Sequence, residues 1–150
     1  MVQNRTELLQ HYAASRRELL GAIAGLSDAQ LMERSLDGWS VKDHLAHLAA
    51  WDEIRAAEVR RISAGHDSAW RMTEKQGDAY NALAYDLRRE LPLEQARWEL
   101  EASRAQLLDA VSSATERGLD EALYGEAGLR SVHEEEHTGW IREWRARQGL

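Results

Sequence analysis

An all-α helical bundle is the fold this sequence predicts, and three observations predict it. The chain has one proline and is rich in Ala, Leu, Glu and Arg, the residues that lose least freedom on entering a helix. No run of alternating β-branched residues reads as a half-buried strand. Apolar residues recur instead three and four apart along several long segments.

The first helix is expected from about Arg5 to Ala24, with Leu8, Leu9, Tyr12, Leu19, Leu20 and Ile23 at helical spacing and Gly25 as its stop. Ser27 and Gln30 form a capping-box pattern for a short helix reaching about Glu33, and Asp37-Gly38 marks a turn. Ser40 with Asp43 opens the second long helix, which continues to about Ala64. Its apolar stripe is Val41, Leu45, Leu48, Val59 and Ile62, with Trp51 at one edge. His66 to Lys75 reads as a loop, and a further helix from about Gln76 to Glu90 stops before Pro92. That proline suits the first turn of a helix to about Ala114, whose inward face is Leu93, Ala96, Leu100, Leu107, Leu108 and Val111. Thr115 to Arg130 holds three glycines and reads as a connection. Ser131 with Glu134 makes a last capping box, starting a helix that reaches about Arg147. The sum is a four-helix bundle, one domain over residues 1–150.

Composition narrows the function. A chain of 150 residues, 43% hydrophobic and 30% charged, is long enough to bury a core. Its net charge of −7 leaves no basic excess to neutralise phosphates, which argues against nucleic acid as a partner. No cysteine is present, so disulfides, thiolate ligands and a cysteine nucleophile are removed together. The opening MVQNRTELLQ lacks the pattern of a signal peptide, and no apolar run approaches the roughly 18 residues of a membrane span. The expected location is cytoplasmic, away from the membrane.

The six histidines carry the chemistry: His11, His44, His47, His66, His133 and His137. At about 100° per residue, His133, Glu136, His137, Trp140, Ile141 and Trp144 share one side of the last helix, while Glu134 and Glu135 point elsewhere. Two imidazoles on an inward face need hydrogen bonds or a metal, and rings four residues apart are close enough to share one ion. Imidazole suits zinc, nickel, copper or ferrous iron, with zinc or nickel first and iron a further candidate. The alternative is a pair hydrogen-bonded to nearby carboxylates. On the second helix the wheel places His44 nearer Leu48 and Val59, and His47 in line with Trp51, Ile54 and Glu58; it leans slightly towards His44 as the buried one without deciding between them.

His133-Glu134-Glu135-Glu136-His137 also satisfies the H-E-x-x-H pattern of zinc proteases. Such a site wants a downstream third ligand, and after His137 there is no histidine and a single acid, Glu143, on the same helix. A di-iron bundle wants two Glu-x-x-His units, and only Glu134-His137 fits.

The stretch from Gly38 through Trp51, GWSVKDHLAHLAAW, resembles the second-helix motif of the DinB-like superfamily, and HEEEHTGWIREWR from His133 resembles its last-helix motif. The Leu26–Leu31 and Asn81–Val111 segments fit the same layout, so the resemblance covers nearly the whole chain. It implies a four-helix bundle, often a homodimer, whose divalent metal is held by three histidines. The second-helix ligand matches His47, followed by Leu48, and the last-helix pair matches His133 and His137. His44 then becomes either a hydrogen-bonding neighbour of the ligands or a polar core residue. The implied activity is thiol-dependent transfer or hydrolysis on a small electrophilic compound, with a low-molecular-weight thiol as candidate partner. The alternative is a non-catalytic stress-response or ligand-binding protein on the same scaffold. Acid–base candidates are Glu136, on the histidine face, and Glu58 or Asp52 on the second helix; caps and solvated surface are the plainer role for each. Trp39, Trp51, Trp140 and Trp144 could line a pocket, with Trp51 and Trp140 expected in the core.

Overall fold

A computed structural model describes all 150 residues. It contains six α-helices: α1 (Arg5–Ile23), α2 (Asp28–Met32), α3 (Val41–Ser63), α4 (Glu74–Arg88), α5 (Leu93–Ser112) and α6 (His133–Gln148). There is no strand, only two isolated bridges, Val2 with Asp120 and Leu36 with Trp39. The bundle is formed by α1, α3, α5 and α6, with α5 packed along α3 and α6 along α1, and α4 lies outside against α3. No helix is long and apolar enough to cross a membrane.

Local chemistry sets the helix ends. Ser27 with Gln30 and Ser40 with Asp43 form the expected capping boxes. Thr73 with Gln76 forms a third, which starts α4 at Glu74, two residues earlier than the apolar pattern suggests. Pro92 is the residue that caps α5 rather than its first helical residue. One expectation fails: Ser131 and Glu134 make no capping box. The helix begins at His133, whose amide donates to the Ser131 hydroxyl, and Glu134 turns inward instead. The connection from Thr115 to Arg130 holds two short 3-10 turns, Arg117–Leu119 and Glu121–Leu123. It lies close to the 66–73 segment, for a Cβ on Gly125 would stand 2.1 Å from the Trp70 carbonyl oxygen.

Helix α3 is buried nearly all round, which makes it the axis of the molecule. Two apolar clusters pack about it. One joins Leu8, Tyr12, Ala56, Val59, Leu107 and Val111, and the other joins Leu19, Leu45, Leu48, Leu100, Ile141 and Trp144. Between them lies a charged layer to which each bundle helix contributes: Arg16 from α1, Asp52 and Arg55 from α3, Arg104 from α5 and Glu134 from α6. Arg104 donates to Asp52 at 2.8 Å and to Glu134 at 2.8 Å. Arg16 pairs with Glu134 at 3.0 Å, and Arg55 with Asp52 at 3.1 Å. Arg16 also reaches Asp52 at 3.5 Å, so Glu134 is met by two guanidinium groups and Asp52 by three, and neither buried carboxylate is left without a partner.

Outside the bundle, α4 buries only Ala84. Its C-terminal end is pinned by two cations: Lys42 donates to the carbonyls of Arg89 and Leu91, and Arg34 to that of Arg89. Positive charge at a helix C-terminus is favourable, because the last carbonyls have no partner inside the helix.

Candidate metal centre

The site forms where the first turns of α3 meet the first turns of α6. A tight turn at Asp37 (φ 50°) and Gly38 (φ 89°) closes the Leu36–Trp39 bridge ahead of α3. This places Trp39 over the helix start, with its ring centroid 5.2 Å from His44 and 5.4 Å from His47. Tyr85 of α4 stacks on Trp39 with ring centroids 5.1 Å apart.

The structure brings His47, His133 and His137 together, with one ligand atom from each lying within 4.8 Å of the others. His47 Nε2 is 2.9 Å from His133 Nε2, and His137 Nε2 is 3.1 Å from the same atom. A neutral imidazole nitrogen has either one proton or one lone pair. His133 Nε2 therefore meets two nitrogens while it can satisfy only one. Three convergent nitrogens with a surplus of lone pairs are what a cation resolves, and two nitrogens on one tetrahedral zinc stand about 3.3 Å apart, given Zn–N bonds of about 2.0–2.1 Å. The donor set fits a metal ion, and these three residues could hold one.

Both second-helix candidates are buried, His44 at 6% exposure and His47 at 9%. His44 faces the group from the side, its Nδ1 2.7 Å from His137 Nδ1. The other two histidines lie elsewhere. His11 Nε2 meets the Ser131 carbonyl at 2.8 Å, and His66 is exposed.

The histidines form one side of a cavity of about 590 Å³, within the range of small-molecule sites. Trp39 and Trp140 give it aromatic walls, and Asp37, Glu136, Glu143 and Arg147 give it charge. Trp140 is not core, as the helical wheel had suggested: it is 48% exposed, because its side of α6 faces this hollow instead of another helix. Trp51 is buried as expected, and its Nε1 donates to Asn81 Oδ1 at 2.9 Å. Glu136 is exposed at the cavity wall. Neither other acid candidate reaches the cavity. Asp52 belongs to the charged layer, and Glu58 is fully buried, accepting from Arg61, Ser68 and the Ala69 amide to anchor the 66–73 segment. The charged layer itself was missed, since Glu134 was expected to point away. Its pattern (one Arg or acid replacing an apolar residue in mid-stripe on four helices) is the signal that could have found it.

Burial disfavours protonation of all four clustered imidazoles. Desolvation pushes His44 and His133 down to about 4 and His47 to about 3, the neighbouring imidazoles adding to the shift of His47, and it pushes His137 down further. Free imidazoles in the unfolded chain take up protons near pH 6.5, whereas the folded ones stay neutral until about pH 4. Their contribution is therefore complete above pH 6.5 and is lost as pH falls from there towards 4. Metal-free protein is expected to show a lower urea midpoint at pH 5.5 than at pH 7.5, and His133→Ala/His137→Ala should flatten that dependence. An equal slope in the double variant would place the acid sensitivity in other groups.

The family model of the DinB superfamily matches residues 11–141. The chain belongs to the DinB superfamily. The matched span includes all of α3 and the first turns of α6, so both ends of the histidine group fall within the DinB match. A solved structure of an uncharacterised protein from Escherichia coli UTI89 is similar at 16% identity and a TM-score of 0.79, covering 99% of this chain and 96% of that one. At that identity the likeness speaks for the DinB fold alone. No curated protein matches the chain.

Proposed function

We propose that this DinB-superfamily protein holds one divalent metal ion, zinc or nickel before iron, with His47, His133 and His137, and acts on a small electrophilic compound by thiol-dependent transfer or hydrolysis. The observation that carries this reading is the convergence of three Nε2 atoms at an open cavity, with one of those nitrogens facing two others. Three protein ligands leave positions for a further ligand, and an ion there would supply a Lewis acid able to lower the pKa of a thiol or water near neutral pH.

The rest of the chemistry belongs to the chain. Trp39, backed by Tyr85, and Trp140 offer flat apolar surfaces that order a small molecule beside the histidines. Glu136, beside His137 in sequence, one turn after His133 and within the cavity wall, is placed to accept a proton at its carboxylate. Three carboxylates against one guanidinium make the lining acidic, which suits a neutral or cationic electrophile better than an anionic one. The absence of cysteine means that any thiol enters as a cosubstrate.

Elemental analysis of protein purified without an affinity tag tests the reading. About one divalent ion per chain is expected in the wild type and close to none in His133→Ala/His137→Ala. Equal metal in both proteins would show that the ion sits elsewhere. Metal-free wild type that refuses zinc would favour a binding protein without metal chemistry.

A further inference from the structure

A site of three nitrogens has no evident use for a fourth imidazole, yet α3 supplies one. His44 is nearly sealed at 6% exposure, and its Nδ1 lies 2.7 Å from Nδ1 of His137. Two ring nitrogens at that distance share one proton, and the geometry assigns its owner. His137 turns Nε2 towards His133 and the convergence point. If that lone pair is given to an ion, the ring proton of His137 stands on Nδ1. His44 Nδ1 must then accept it, which leaves the proton of His44 on Nε2. That Nε2 has no hydrogen-bond partner in the protein. Nor is it among the sealed, partnerless side-chain atoms, which are Arg88 Nε, Arg89 Nε and Glu99 Oε2. It therefore opens on the cavity that His44 lines.

We propose that His44 is the positioning residue of this site: it fixes His137 in the tautomer that offers Nε2, and it presents its own Nε2–H to the molecule in the cavity. The proposal rests on the metal reading above. A carboxylate or a carbonyl usually accepts from a ligating imidazole. A neutral imidazole does so without adding negative charge, and unlike either it ends in a donor. The ligand class follows from that donor: a molecule carrying a hydrogen-bond acceptor, such as a carbonyl oxygen, beside its reacting atom.

The two faces of His44 separate by substitution. In His44→Asn the amide oxygen takes the place of Nδ1 as acceptor, while His44→Leu removes the acceptor altogether. Zinc affinity of the full chain, measured by competition with a chromophoric chelator, is expected to fall about 10–100-fold in His44→Leu and to stay near the wild-type value in His44→Asn. Equal affinity in all three proteins, or a loss in His44→Asn as large as in His44→Leu, would overturn the positioning role. A long-range proton–nitrogen NMR spectrum of histidine-labelled, zinc-loaded wild type needs no variant to fold. It should show His137 protonated at Nδ1 and His44 at Nε2, and His44 protonated at Nδ1 would overturn the assignment. Failure of the metal reading looks different, since wild-type protein would then take up no zinc at all.

Discussion

Arg104→Met will destabilise the bundle by about 3–5 kcal/mol, because it leaves Asp52 and Glu134 short of a partner in the interior. For a chain of this size that corresponds to a fall in Tm of about 10 °C, readable by circular dichroism at 222 nm. The magnitude comes less from the bonds lost than from the charges left behind. Adding Asp52→Asn and Glu134→Gln to Arg104→Met should therefore restore part of the loss, although each acid substitution alone removes ion pairs. Three substitutions that together cost less than one are the mark of a coupled network. Additive losses would show instead that the layer is a set of independent contacts. Arg16 and Arg55 stay paired with the same acids in the single variant, so the lower end of the range applies if they take up the slack.

Zinc should raise the Tm of the metal-free wild type and leave that of His47→Ala unmoved. A ligand that binds only the folded state stabilises it by about 2.7 kcal/mol at a free concentration of 100 Kd, which is a rise of about 5–10 °C here. His47 is the sharpest residue to test, since it is the one member of the three-histidine group that stands on α3. His11→Ala and His66→Ala serve as controls and should respond to zinc as the wild type does. A zinc response that survives His47→Ala would refute a site bridging the two helices.

Much of this was legible in the sequence, for physical reasons that also explain the gaps. Helices on the outside of the bundle have one wet side, and their apolar spacing gave α1 and α5 within a residue or two. The first half of α3 has no wet side, every residue from Val41 to Asp52 being buried. The helical wheel's slight lean towards His44 as the buried one therefore had no dry and wet side to rest on. Both are inside, and only the motif comparison preferred His47. On α6 the wheel gave the inward side carrying His133, His137 and Trp144 but missed a second, marked by Glu134 and Thr138. A charged residue scores as surface unless its partners are known, and those partners lie 30 to 118 residues away along the chain. Trp140 erred in the opposite direction. The wheel assigns an aromatic to the core whether the space before it is filled or hollow, and here it is a hollow.

The two sides of the cavity are fastened with unequal force. Its histidines stand on α3 and α6, locked in place by the bundle, whereas Asn81 and the Tyr85 that backs Trp39 belong to α4. That helix buries one alanine and is held by polar contacts, Lys42 and Arg34 at its C-terminal end, Glu53 at Arg88 and the Trp51 indole at Asn81. Substitutions along α4 can therefore reshape one wall at small cost to the fold and without displacing a ligating nitrogen. The shape of the hollow and the placement of its imidazoles are thereby carried by parts of the fold that can vary separately.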